Sequence, residues 1–171
     1  MKTFLSAGIL FLAVAATIGP QARGQTRPLS VDIKNAEGRT VGTAALSAAA
    51  KGVKIKLDIK DLPPGQHAMH IHQIGKCEPP DFKSAGPHFG AAHAGHDEHG
   101  AAPAGDIPDF SLIVAADGTA HVSVMAPNVT LDDGENSVFS NGGTSIVIHA
   151  VTDTSAAGAP ARIACGVITK S

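Results

Sequence analysis

Between residues 53 and 60 apolar and charged side chains alternate without exception, with Val53, Ile55, Leu57 and Ile59 on one parity and Lys54, Lys56, Asp58 and Lys60 on the other. A period of two sends the first set to one face of an extended strand and the second to the opposite face, whereas a helix would mix them around its circumference. The segment is therefore a strand with one face buried and one in water. Such a face needs other strands to cover it, and the chain supplies them. Leu29, Val31 and Ile33 alternate with Ser30, Asp32 and Lys34, Asn35-Ala36-Glu37-Gly38 makes a turn, and residues 40–47 return as a second strand. Asp61-Leu62-Pro63-Pro64-Gly65 ends the 53–60 strand. Residues 67–74, 110–116, 119–124, 145–150 and 163–169 read as further strands, with a two-residue hairpin turn at Asp117-Gly118. About eight short strands and no helical period define an all-β fold, an antiparallel sandwich or barrel.

The first residues have a different character. Lys2 precedes a mostly apolar run over 4–18, followed by Gly19-Pro20 and the small residues Ala22 and Gly24, the order of a secretory signal peptide. The run is short for the roughly 20 residues that span a bilayer. The expectation is export to a periplasm or the outside of the cell, with residues 1–24 removed, residues 25–171 forming one domain, and no stable membrane insertion after cleavage. The remaining 147 residues carry a net charge of −4 with histidine neutral. They contain no basic cluster and the chain has no Trp or Tyr, so nucleic acid is excluded as a partner for want of phosphate-tracking and base-stacking residues. The composition leaves a homodimer open.

Only two cysteines occur, Cys77 and Cys165, and in an exported chain they most simply form one disulfide. Closing a loop of about 90 residues contributes roughly 4–5 kcal/mol in the chain-entropy view.

Histidine carries the chemistry. Seven of the nine histidines fall in residues 67–99, a density that core packing does not call for and that suits transition-metal binding. His70 and His72 share one strand face, so their imidazoles stand side by side as copper or zinc ligands require, while His67 falls on the opposite face with Met69 and Ile71. His121, beside Thr119 and Ser123, reads as a solvated surface residue.

The segments HAMHIHQIGKC, SAGPHF, AGD, IVIHAVTD and ARIACGVI follow one another in the order and at nearly the spacing of the copper-zinc superoxide dismutase family, in its exported bacterial form, and the chain resembles that family over essentially all of residues 25–171. The resemblance implies an eight-stranded antiparallel Greek-key barrel with long metal-binding loops. It implies copper held by His70, His72, His88 and His149, with His88 bridging to zinc. It also implies a disulfide between Cys77 and Cys165, an anion-positioning Arg162 beside the copper, and a supporting His67 behind the ligands. Asp153 matches an aspartate that links a copper ligand to a zinc ligand.

The zinc pattern departs from the family. His88, His96 and Asp106 fit three of the zinc ligands, but the fourth position, three residues before Asp106, is Pro103, which cannot ligate. His93 or His99 is the expected substitute; otherwise the zinc site is weak or empty.

The implied reaction is disproportionation of superoxide to dioxygen and hydrogen peroxide, with His88 taking up and returning a proton and Arg162 docking the anion. The rival reading is a copper-binding or copper-delivery module on the same fold without turnover, since fold does not fix function. The segment 151–162 contains no lysine and is short for the family, which implies weak electrostatic steering. The rate constant with superoxide should therefore fall only shallowly with ionic strength; a steep fall in a salt titration would contradict this reading.

Overall fold

The computed structural model describes residues 27–90, 102–151 and 160–170. The expected signal segment 1–24, the loop histidines His93, His96 and His99, and Asp153 lie outside these residues.

Nine strands follow in order: β1 (Leu29–Asn35), β2 (Thr40–Ala49), β3 (Gly52–Ile59), β4 (Gly65–His67), β5 (Met69–His72), β6 (Leu112–Val114), β7 (Ala120–Ala126), β8 (Thr144–His149) and β9 (Arg162–Ile168). Seven form one antiparallel sheet in the order β5-β8-β9-β1-β2-β3-β7, and β4 pairs with β6 in a two-stranded ribbon. The ribbon joins the sheet's two edges: β4 runs into edge strand β5 through Ala68 alone, and β6 turns into edge strand β7 through residues 115–119, where Ala115 N–H donates to the Thr119 carbonyl at 2.8 Å. The sheet therefore curls toward closure, which protects its edges. β3 lies beside β7 and β5 beside β8, so the chain crosses the ends of the barrel in Greek-key fashion.

The alternation decides what goes inside. Val53, Ile55, Leu57 and Ile59 are buried in a core shared with Val31 and Ile33 of β1, Leu46 of β2, Ile71 of β5, Leu112 of β6 and Ile146 and Ile148 of β8, while Lys54, Lys56 and Asp58 are exposed. His121 is exposed as well and pairs across β3 with Asp58 at 3.2 Å.

Five local readings change. The single strand expected over 67–74 is two strands that belong to different sheets: His67 pairs with Leu112 of β6, whereas His70 and His72 pair with Val147 and Ser145 of β8. The strand expected over 110–116 shrinks to Leu112–Val114, and that expected over 119–124 shifts to Ala120–Ala126. The long stretch 75–106 carries a 3-10 turn at Lys83–Ala85 and an antiparallel bridge between His72 and His88. The last change is a β-bulge. Val147 pairs with Cys165 and Ile148 with Ala164, but His149 pairs with Arg162, so Ile163 is an extra residue. Unbroken alternation would put Arg162 on the core parity, three residues from outward-facing Cys165; the bulge turns it to the outer face beside His149.

The facing of β3 has a direct test. Ile55→Ala should cost about 2–5 kcal/mol of stability by removing a wholly buried side chain, and Lys56→Ala less than about 0.5 kcal/mol, as read from denaturant unfolding midpoints.

Candidate metal centre

The pairing of β5 with β8 builds the site on the outer face of the sheet. Met69 and Ile71 point inward with Ile146 and Ile148, so His70 and His72 point outward, as do Val147 and His149 of β8. The fourth histidine arrives from the loop. His88 docks against the outer edge of β5: Gln73 N–H donates to the Pro87 carbonyl at 2.9 Å and Phe89 N–H to the Ile71 carbonyl at 2.9 Å. The four histidines offer ligand atoms that all lie within 4.8 Å of one another. The His70 and His88 rings stack with centroids 4.1 Å apart, and the His72 and His88 rings meet edge to face at 4.8 Å.

Three histidine rings have their orientation and tautomer set by oxygen acceptors. A carbonyl can only accept, so His72 Nδ1–H donates to Gly86 O at 2.9 Å and His149 Nδ1–H to Pro160 O at 3.1 Å. Both rings therefore present Nε2 lone pairs, and these two atoms lie 3.4 Å apart. Two lone pairs facing at that distance repel unless a cation or a proton sits between them. A proton on His72 is disfavoured: burial, the largest influence, holds it down at about 3 from its ordinary 6.5. Four nitrogen donors this close together fit copper or zinc. His88 Nδ1 lies 2.7 Å from Asp106 Oδ1, and both side chains are about a third exposed, at 30% and 29%. This pair gives the site a second, more open end.

Asp106 reaches His88 through backbone geometry. Asp106 N–H donates to the Pro103 carbonyl at 3.0 Å, closing a turn, and Gly105 bridges two segments: Ile71 N–H donates to Gly105 O and Gly105 N–H to Phe89 O, each at 2.9 Å. A Cβ at Gly105 would collide with the Ile71 carbonyl oxygen, so only glycine fits this close approach. Pro103 thus starts the turn that delivers Asp106.

Arg162 lies across the ring cluster's loop side. Its Nη1 donates to Phe82 O at 2.7 Å and its Nη2 to Gly86 O at 2.8 Å. Gly86 O therefore serves both Arg162 and His72. Burial lowers the guanidinium pKa and the nearby Asp81 carboxylate raises it, and the group remains a cation. The loop that supplies both carbonyls is tied to β9 by the disulfide between Cys77 and Cys165, with Cα atoms 5.7 Å apart. His67 stands behind the cluster, Nδ1 2.8 Å from His149 O and Nε2 2.8 Å from Pro63 O, so both nitrogens are engaged away from the other rings.

Of the residues singled out from the sequence, His70, His72, His88 and His149 come together, with Asp106 beside His88, Arg162 beside His149 in the strand register, and His67 behind. His93, His96, His99 and Asp153 fall outside the described residues. Gly86, Gly105 and the Phe82 carbonyl were not singled out. The two glycines lie beside His88 and Asp106 within the AGPHF and AGD segments, which is the signal that could have found them; nothing in the sequence marks Phe82.

A closing Greek-key β-barrel with four convergent imidazoles on its outer face, roofed by a disulfide-tied loop, defines a protein with a histidine cluster able to hold a metal ion. Residues 40–168 match the family model described as copper/zinc superoxide dismutase. "Superoxide dismutase [Cu-Zn] 1" of Aquifex aeolicus is 40% identical over 164 residues, covering 91% of this chain and 96% of that protein, and "Superoxide dismutase [Cu-Zn] 2" of the same organism is 44% identical over 146 residues, covering 80% and 84%. A double mutant of a SOD-like protein from Bacillus subtilis superposes with a TM-score of 0.70 at 32% identity, covering 82% of this chain and 97% of that one. The chain belongs to the copper/zinc superoxide dismutase family.

The burial of His72 sets a pH dependence for the metal-free protein. Between its folded value of about 3 and the ordinary 6.5 the unfolded chain binds the extra proton, so stability should be full above about 6.5, decline as pH falls through this window and level off below it. Denaturant midpoints measured in chelator across this range check the sign.

Proposed function

We propose that this chain disproportionates superoxide, converting two superoxide anions and two protons to dioxygen and hydrogen peroxide. The observation that carries the reading is the convergence of the His72 and His149 Nε2 lone pairs, 3.4 Å apart, in a cluster of four imidazoles beside a fixed cation. In this reading His70, His72, His88 and His149 hold copper, which supplies one-electron redox chemistry when bound.

The remaining steps belong to the protein. Arg162, held on two carbonyls, offers its positive charge to a small anion arriving at the cluster and orients it there. His88 holds a proton at Nε2 when that nitrogen is not engaged as a ligand, and gives it to the nascent peroxide. Asp106 keeps the His88 ring in place through Nδ1, and when Nδ1 gives up its proton the pair becomes the protein's half of a zinc site. His96 would add the third ligand, and His93 or His99 would complete that site in place of the position filled by Pro103. His67 backs the cluster by engaging the His149 carbonyl, and Asp153 would link the two metals' ligands.

Export fits the same picture. Residues 1–24 act as a signal peptide in this reading, and the Cys77–Cys165 disulfide suits an oxidising compartment outside the cytoplasm. No helix among the described residues is long and apolar enough to cross a membrane.

One experiment addresses the whole reading: metal analysis and intact mass of the purified protein, with a superoxide assay before and after loading with copper and zinc. The expected outcome is a mature chain beginning at Gln25, one copper per chain, and activity that tracks copper. Arg162→Ala should keep the copper and lose roughly tenfold in rate constant, the scale of one charge-assisted interaction. Copper bound without turnover in the wild type would instead select the binding module.

A further inference from the structure

We propose that Phe82 is a positioning residue for Arg162, a role that rests on reading Arg162 as the group that docks the anion. Phe82 has φ 52° and ψ 25°, the left-handed conformation, which glycine adopts freely and a bulky aromatic residue rarely does. Its ring is nevertheless among the most completely buried in the protein, at 1% exposure, and packs with Ala85, Val147, Cys165 and the partly buried Cys77. Its backbone is held as well: Phe82 N–H donates to Glu78 O at 3.1 Å, and Phe82 O accepts from Ala85 N–H at 3.1 Å. The same carbonyl accepts from Arg162 Nη1 at 2.7 Å.

These observations fit together in one way. Burying the ring on the outer face of β8 and β9, against the disulfide, holds the backbone in a conformation it would otherwise leave. That conformation presents the Phe82 carbonyl on the side where Arg162 emerges. The bulge at Ile163 turns Arg162 outward, and two carbonyls at either end of the 83–85 turn then fix its fork: Phe82 O on Nη1 and Gly86 O on Nη2. With one anchor only, the planar guanidinium could pivot about the remaining bond. Phe82 therefore converts apolar packing beside the disulfide into the orientation of the site's cation, and the strain it carries is retained for that geometry.

The test uses the full chain in metal-free and in copper- and zinc-loaded forms. Proton–nitrogen NMR of the metal-free wild type should resolve separate Arg162 Nη–H signals, because both arms are tied. Phe82→Ala should average those signals and weaken azide binding to the loaded protein by roughly fivefold to tenfold, as loss of one hydrogen bond to a charged group implies, with copper content unchanged. Phe82→Leu, which keeps a buried wedge, should restore most of both. In an Arg162→Ala background Phe82→Ala should produce no further loss of azide affinity. Wild-type signals and affinity in Phe82→Ala, or an equal loss with and without Arg162, overturn the proposal. Should Phe82→Ala fail to fold, Phe82→Val, a smaller wedge on a residue poorly suited to the left-handed conformation, provides the same comparison, and retained Arg162 signals there overturn it. A loaded wild type with tied Arg162 signals and no superoxide turnover would instead sink the functional reading and leave the positioning role standing.

Discussion

The pairing of β5 with β8 is the interaction on which the rest of the structure depends. It matches Met69 with Ile148 and Ile71 with Ile146 on the inside, and so places His70, His72 and His149 on one outer surface. The core and the metal centre are thus two sides of one register. A slip by one residue would send the imidazoles into the apolar interior and the isoleucines outward, so burial of the core enforces the geometry of the histidine cluster. A metal centre built on paired strands also inherits their rigidity, which keeps nitrogen donors close together at modest entropic cost.

What the strands lack, the loops bring, and they are held largely by backbone hydrogen bonds. His88 sits on β5 through Pro87 and Phe89, and Asp106 follows through Gly105 wedged between Ile71 and Phe89. Arg162 is aimed by carbonyls at positions 82 and 86. The shared Gly86 oxygen couples the orientation of a ring in the cluster to that of the neighbouring cation, so displacing the loop disturbs both together. The disulfide closes the arrangement by tying the loop to β9, two strands from the cluster edge.

Much of the barrel was legible because two-residue alternation is a local property. Val53 to Ile59 declare their faces wherever the strand is placed, and so do Leu29, Val31 and Ile33. The split at Ala68 was not legible, because the run from His67 to Ile74 is a continuous strand-like sequence whose halves differ only in which neighbour they find. The outward turn of Arg162 was hidden for a similar reason: a bulge is defined by the partner strand's count of residues, and the ARIAC segment contains no glycine or proline to announce it.

The sequence by itself determined the fold class, the inner and outer sets of β1 to β3, the supply of histidines and the pairing of the only two cysteines, because each follows from side-chain period, composition or count. The family resemblance named the histidines that converge and placed Arg162 beside them; only the tertiary structure decided how they are held, that His67 turns its nitrogens to the Pro63 and His149 carbonyls, and that a bulge aims Arg162 at the Phe82 and Gly86 carbonyls. Those facts rest on contacts across as many as 82 residues of chain, where backbone carbonyls choose the orientation of side chains. A carbonyl is present at every residue and so leaves no mark in the sequence; only folding selects the few that face an imidazole or a guanidinium.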